Sequence, residues 1–410
     1  MSDSDGFLKE RIIVCHSCDI PVVLPAYRKG YQCRCPRCHA LLRPAFIFPF
    51  TNGAVIAFSA LLLLLGAISQ PLFSISASGL SVTVSLLNLF DGLEGIWKIL
   101  TCVFAFSVFV FPLIFLCILS ILGFMRIRPS KLIAEAYTIS HFFCFVDVFA
   151  LAIGISLIKI TALASVEFYS GFYLYLIFTF LLMWCWKSFP PRSVWSRVKI
   201  EEHIDIDKET TCARQGIKLC KHCGFVFKSQ NNTSEKCPRC GKKTFYRKYM
   251  WEQRCIAMLL AAAVMFLPSN IFPIMFTTYL GNTFGSNIMD GAWELFSSGS
   301  WFVACVIVIA SLFIPGFKIL ALSYLIIKVK KGKITNPAVL SKLYRIVEFI
   351  GKWSMLDVFV VILMASAVRF YNLMAVAPGL AVIAFCAVVL LTLEAATYFD
   401  ERLIWDRSVE

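Results

Sequence analysis

The sequence predicts an all-α polytopic membrane protein. It should have eight transmembrane helices in two parallel-repeat four-helix domains, each preceded by a small cytoplasmic zinc-ribbon-like module. Three observations carry that expectation. The 410 residues are 59% hydrophobic with a mean hydropathy of +0.76, whereas soluble domains sit near about 45–50% apolar. Eight of the 17 cysteines fall into four C-x-x-C pairs in polar segments, which favours metal binding in a reducing compartment over disulfides. Residues 141–197 align without a gap on 351–407 at an offset of 210, setting Asp147 on Asp357, Arg192 on Arg402 and Trp195 on Trp405. The upstream C-x-x-C pairs repeat at offsets of 205 and 202, and Pro112 matches Pro315 at 203.

The boundaries follow from these repeats. The first zinc-ribbon-like module covers 1–45, the first membrane domain 46–190, a cytoplasmic linker 191–215, the second module 216–250, the second membrane domain 251–400 and a cytoplasmic tail 401–410. The N-terminal stretch "MSDSDGFLKERIIVCHSC" is polar, so no cleavable signal peptide is expected.

In the first module Cys15 and Cys18 ("CHSC") precede Cys35 and Cys38 ("CPRC"); in the second, Cys220 and Cys223 ("CKHC") precede Cys237 and Cys240 ("CPRC"). Two such pairs, closely spaced along the chain, let four thiolates converge tetrahedrally on one ion, as in zinc ribbons. Two zinc ions, one per module, are expected; iron is the alternative, because tetrahedral sulfur accepts either. His39, Gly224 and Gly241 take the tight turn after a pair, and Cys33 and Cys212 are read as bystanders. Modules this small depend on their metal to fold. They serve as structural clips or docking surfaces, with redox sensing the sharper alternative.

The expected spans lie near 47–69, 100–124, 139–160, 169–188, 254–276, 301–327, 349–369 and 374–398, each about 20 residues or more, enough to cross ~30 Å of hydrocarbon. Four crossings return the chain to its starting side, so the two copies share one orientation. Loops 124–138 and 328–345 and the linker 187–253 are basic, whereas 70–96 and 277–300 carry no Lys or Arg. The positive-inside rule therefore puts both termini and both cysteine modules in the cytoplasm. That distribution also accounts for the net charge of +14 without nucleic acid. On the opposite side, 74–87 alternates small polar and apolar residues around Ser78–Gly79, a hairpin pattern.

Ionisable residues inside a bilayer cost about 2.5–3.5 kcal/mol each on insertion scales and are functional or paired. Asp147, Lys318 and Asp357 are the candidates, while Lys159 and Arg369 sit at outer helix ends within reach of the interface. The second copy also has Ser311, Ser354 and Thr392 where the first has Val108, Cys144 and Leu182, and Lys318 where the first has Phe115. Asp147, Ser311, Lys318, Ser354, Asp357 and Thr392 thus form a candidate polar transmembrane network. In "LPSNIFPI", Pro268 and Pro273 interrupt backbone hydrogen bonding, with Asn270 placed to satisfy the freed groups.

Several classes drop out. No G-x-x-x-x-G-K-[ST] P-loop occurs, and neither a Ser-His-Asp nor an H-E-x-x-H arrangement is present. Of five histidines only His141 lies near a span, which argues against a bis-histidine haem carrier. An enzyme is not expected.

"GKWSMLDVFVV", "LPSNIFPI", the two cysteine quartets and the terminal "FDERLIWDR" together resemble the paraquat-inducible protein A family. The likeness covers nearly the whole chain and is fullest in its second half; "GAISQPLFSI" and "CFVDVF" depart from the pattern in the first. The resemblance implies a multi-pass subunit of the bacterial inner membrane. It also implies a periplasmic MCE-family partner, whose rings form a hydrophobic conduit, and phospholipid or another lipid as cargo moving between inner and outer membranes. The residues themselves suggest proton coupling through the polar network. A non-transporting scaffold for the MCE partner and a redox-sensing regulator are the rival readings.

Overall fold

The computed structural model describes residues 11–407 apart from 27, 45–47, 78–79, 91–97, 162–164, 199–211, 213–214, 230–233, 280–281, 298, 300, 333, 368 and 371–373. The chain begins with two short hairpins, β1 (Arg11–Val14) with β2 (Pro21–Leu24) and β3 (Cys33–Arg34) with β4 (Leu41–Arg43). Helix α1 (Phe50–Ser69) then presents Gly53, Ala54, Ala57, Ala60 and Ala67 inward, the small-residue face that lets membrane helices approach closely. It packs on the later helices Phe111–Phe124 and Ser170–Ser188.

A hairpin of β5 (Pro71–Ala77) and β6 (Leu80–Ser85) comes next. Helix α2 (Lys98–Ala105) leads through a π-helical segment, Phe106–Val110, into α3 (Phe111–Phe124). Helix α4 (Lys131–Phe142), N-capped by the Ser130 hydroxyl, breaks and resumes as α5 (Val146–Thr161). Strand β7 (Ser165–Phe168) joins β5, and α6 (Ser170–Ser188) and the single turn α7 (Pro191–Trp195) close the half.

The second half has a similar order of elements, with an added helix and an added strand. Hairpins β8 (Ile217–Leu219) with β9 (Val226–Lys228) and β10 (Glu235–Lys236) with β11 (Lys243–Thr244) precede α8 (Trp251–Ile271). Strands β12 (Met275–Tyr279) and β13 (Asn282–Ser286) are followed by α9 (Ile288–Ser297), α10 (Trp301–Val308), a π-helical segment Ile309–Phe313 and α11 (Ile314–Lys331). Helix α12 (Pro337–Gly351), a 3-10 turn Lys352–Met355 and α13 (Leu356–Ala367) lead to β14 (Arg369–Phe370) and β15 (Met374–Pro378). Helix α14 (Ala381–Tyr398) and the turn α15 (Arg402–Asp406) end the described chain.

The protein is mostly helical, and among the described residues seven helical stretches are long and apolar enough to cross a membrane. They run Phe50–Ser69, Thr101–Phe124, Lys131–Ile158, Ser170–Ser188, Trp251–Ile271, Ala304–Lys331 and Ala381–Tyr398. The stretch expected at 349–369 is divided among α12, the 3-10 turn and α13 and does not reach that length as one helix. The all-α expectation needs correcting. The segments between spans build a three-stranded sheet in the order β6-β5-β7 and a four-stranded sheet in the order β13-β12-β15-β14. Residues 275–276 and 374–378, expected inside spans, belong to strands. Apolar runs of this length read equally well as helix ends or strands.

Each half ties its sheet to its last span at a glycine. A Cβ on Gly171 would strike the Pro71 carbonyl, and one on Gly379 the Pro273 carbonyl. The two halves meet where α5 lies against α13, with Phe104, Phe149 and Phe359 arranged edge to face, the Phe104–Phe359 centroids 5.8 Å apart.

Candidate functional site

Each cysteine pair sits in a tight backbone loop. The first Cys of each pair donates its N–H five residues ahead (Cys15 to Ile20, Cys35 to Ala40, Cys220 to Phe225, Cys237 to Lys242). Its own carbonyl accepts from the N–H four residues on, at Asp19, His39, Gly224 and Gly241. Those four residues all have left-handed backbone, with φ of 62°, 58°, 71° and 76°. The turn aims both thiols of a pair to one side. Asp19 is the member that the sequence reading passed over. Its position directly after a C-x-x-C, where the other three pairs have His or Gly, was the available signal, and Asp tolerates this conformation.

The thiols converge in two groups, Cys15, Cys18, Cys35 and Cys38, and Cys220, Cys223, Cys237 and Cys240, with every sulfur in a group within 4.8 Å of the others. All eight cysteines are free thiols, and the cross-pair sulfur separations are 3.4 and 3.5 Å in the first group and 3.6 Å twice in the second. Those values exceed a disulfide bond of about 2.05 Å. They approach the ~3.8 Å edge of a sulfur tetrahedron around an ion with ~2.3 Å metal–sulfur bonds. Seven of the eight are buried and Cys240 is half-buried, so the donor set and its geometry fit a closed structural ion. Cys33 and Cys212 stand outside both groups. Cys33 accepts from the Arg43 guanidinium at 3.3 Å; Cys212 is buried, which pushes its thiol up to about 12, and its N–H donates to the Asp19 carbonyl.

The apolar packing of each module is with the half of the chain other than its own, while polar contacts also reach its own half: His16 of the first module meets Arg192 at 3.5 Å, and Lys248 of the second donates to the Phe399 carbonyl at 3.0 Å. The first thiol group joins the apolar cluster of Leu322, Leu325, Val347, Phe399 and Ile404 in the second half. There Arg345 donates to the Cys38 carbonyl at 2.9 Å, Arg37 lies 4.9 Å over the Trp405 ring, and Arg402 pairs with Asp19 at 3.7 Å. The second group joins the cluster containing Phe189, Val194 and Trp195 of the first half. There the His222 ring meets Trp195 at 5.5 Å, and Lys242 pairs with Glu135 at 2.9 Å. The second module also reaches the second half, Lys221 pairing with Asp400 at 2.8 Å. Arg247 binds both Asp19 and Asp406, which ties the end of the second module to the first module and to α15. Burial alone would raise the Asp400 carboxyl, but Lys221 and Arg402 beside it hold it far below the usual carboxylate range.

Within the second membrane half the structure brings four of the sequence-predicted polar residues onto elements that touch: the Ile309–Phe313 segment, α11, the Lys352–Met355 turn and α14. Ser311, Lys318, Ser354 and Thr392 are all buried, Lys318 completely. Lys318 Nζ donates to Ser354 Oγ at 3.4 Å, Thr392 is tied to the Val389 carbonyl at 3.0 Å, and the Ser311 hydroxyl has no partner among the described residues. Ser311 and Lys318, two turns apart, share a helix face. Pro315 has no N–H to give the Ser311 carbonyl, and the helix passes this point with a wider turn in which the Ile314 N–H bonds to the Ile309 carbonyl.

Among the described side chains no carboxylate lies within ion-pair distance of Lys318, and the Asp357 side chain lies outside them. So do the side chains of Lys159 and Arg369. Asp147 is half-buried at the first turn of α5, and no described hydrogen bond or ion pair links it to Lys318. At "LPSNIFPI", Pro268 lies inside α8, Asn270 Nδ2 donates to the Phe266 carbonyl at 2.7 Å, and the helix ends before Pro273.

A mostly helical chain with seven candidate membrane spans among its described residues, a buried polar cluster and two four-cysteine groups that could each hold a metal ion is a multi-pass membrane protein. Comparison with known proteins narrows this further. The family described as paraquat-inducible protein A matches residues 42–199 and again 252–408. The chain belongs to that family. It is 29% identical over 404 residues to "Intermembrane transport protein PqiA" of Escherichia coli strain K12, covering 97% of this chain and 96% of that protein. It is 28% identical over 408 residues to "Lipophilic envelope-spanning tunnel protein A" of the same organism, covering 96% of this chain and 90% of that protein. No solved structure matches the chain.

Proposed function

We propose that this chain is an inner-membrane subunit that moves lipid between inner and outer bacterial membranes, working with a periplasmic MCE-family conduit and without enzymatic activity. The observation that carries this reading is its similarity, end to end, to proteins named for intermembrane transport and for a lipophilic envelope-spanning tunnel. In this reading the protein crosses the bilayer eight times, the seventh crossing being made by α12 and α13 together. The two halves descend from one duplicated module, which the double family match supports, and both termini and both zinc-holding modules face the cytoplasm.

Zinc bound by the two quartets would close each module as a rigid clip. The chain's own residues supply the rest. Lys318 can hold or release a proton, the Ser354 hydroxyl beside it both donates and accepts, and Ser311 and Thr392 extend the polar lining. With Asp357, and Asp147 from the first half, these residues form the path that couples proton movement to lipid release at the outer face. The break at Pro268, Asn270 and Pro273 marks where the fifth span yields to the outer sheet. Replacing Asp357 by Asn and Lys318 by Met tests the mechanism. At unchanged protein levels, barrier function that depends on lipid transport is expected to fall by roughly ten-fold or more. Unchanged barrier function would overturn the proton-coupled mechanism.

A further inference from the structure

The crossed seating of the cysteine modules has a physical consequence that neither metal binding nor transport by itself requires. We infer that each module braces the membrane domain of the opposite half, so that the metal held by Cys15, Cys18, Cys35 and Cys38 governs the packing of the second half, and the metal held by Cys220, Cys223, Cys237 and Cys240 that of the first.

The contacts that carry the brace come from the metal-binding loops themselves. In the first module the Cys38 carbonyl takes the Arg345 guanidinium of α12. Arg37, between the two cysteines of its pair, covers Trp405 of α15. Asp19, held in left-handed backbone by the loop after Cys18, turns its carboxylate to Arg402 and Arg247. In the second module His222, between Cys220 and Cys223, meets Trp195 of α7, and Lys242, two residues past Cys240, pairs with Glu135 of α4.

The receiving surfaces correspond. Trp195 and Trp405 are anchored from behind, their indole N–H groups donating to Thr138 Oγ1 and Ser341 Oγ, both at 2.9 Å. Tyr137 and Tyr344 donate to the Phe189 and Ala396 carbonyls, where the last span of each half ends. Each tryptophan is therefore fixed to its own membrane domain on one side and to the other half's module on the second side. Hairpins of two to four residues per strand bury too little to hold these loops without an ion. Losing the metal then releases Asp19, Arg37 and the Cys38 carbonyl together. That leaves Arg402, 3% exposed, without one of its two carboxylates.

The experiment compares the full chain in detergent with Cys15→Ser/Cys38→Ser and with Cys220→Ser/Cys237→Ser. Bound zinc and iron are measured by plasma mass spectrometry and backbone protection by hydrogen exchange. Either double variant should lose one of two metal ions. The first should speed exchange by roughly ten-fold or more in 337–351, where among the described residues only the first module makes contact, while sparing 131–142; the second should do the reverse. Arg345→Ala with Trp405→Phe keeps both quartets and should reproduce the first pattern at smaller size, so the inference stays testable if a cysteine variant fails to accumulate. Exchange that rises instead in 131–142 after the first double variant or in 337–351 after the second, or that stays unchanged after metal loss or after the contact variant, overturns the inference. None of these readouts depends on lipid transport, so the proposed function stands or falls separately.

Discussion

The two membrane halves share their backbone devices and differ in what fills them. Both pass through a π-helical segment just ahead of a proline, at Phe106–Val110 before Pro112 and at Ile309–Phe313 before Pro315. In the first half the position matching Lys318 is Phe115, whose ring lies 5.0 Å from Tyr137 and 5.8 Å from His141 in an aromatic cluster. Val108, Cys144 and Leu182 complete an apolar counterpart to Ser311, Ser354 and Thr392. At the helix ends the first half has Pro190–Pro191 and the second Asp400–Glu401, where Asp400 pairs with Lys221 of the second module and with Arg402. The widened helix is thus part of the scaffold and does not require a polar lining. The hydroxyls and the lysine are present in the second half only, so the two halves differ in chemistry at matching positions.

Making the first half resemble the second should have the largest effect. Phe115→Lys would bury an ammonium among Tyr137, His141 and apolar neighbours, at about 3–5 kcal/mol for an uncompensated charge. The variant should scarcely accumulate in membranes; normal accumulation and melting temperature would mean the first half tolerates a charge there. A smaller effect is expected from making the second half resemble the first at its end. Asp400 accepts from Lys221 at 2.8 Å and from Arg402 at 3.0 and 3.1 Å while fully buried. Asp400→Asn should therefore lower stability by about 3 kcal/mol, read as a drop in melting temperature, whereas Pro190→Ala should change it little.

The smallest effect concerns pH. Burial pushes Glu401 up to about 7 despite the Ser17 hydroxyl and Arg345, with Glu348 adding to the rise and Lys221 opposing it. The folded state therefore favours the protonated acid. Its contribution is complete below the ordinary carboxyl range near pH 4.5 and is lost as pH rises through about 7. Asp400 runs the other way, because its depressed carboxyl stabilises the fold above about pH 4. Glu401→Gln should flatten the melting temperature between pH 5 and 8, and an unaltered slope would assign that dependence to another group.

Much of this was legible in the chain because it depends on local spacing. The cysteine quartets, the tryptophan and arginine that close each half, and most span boundaries follow from residues a few positions apart. The outer sheets were half visible: the alternation at 74–87 announced β5 and β6, but Met275–Tyr279 and Met374–Pro378 adjoin spans and share their apolar character. The seat of each module could not be read at all. Arg345 and Cys38 are 307 residues apart, and nothing in the periodicity of either segment records which of two similar surfaces it will meet.

Crossed seating also sets an order of events during synthesis. The first module leaves the ribosome complete at Arg43, yet Trp405, against which it rests, follows 362 residues later. At about 5–20 residues per second that interval is roughly 20–70 s. Through it the module lacks the part of its seat that α15 supplies. A chain truncated before α15 would leave that early module without its Trp405 and Arg402 contacts, so its full docking reports that the last helix has been made and placed.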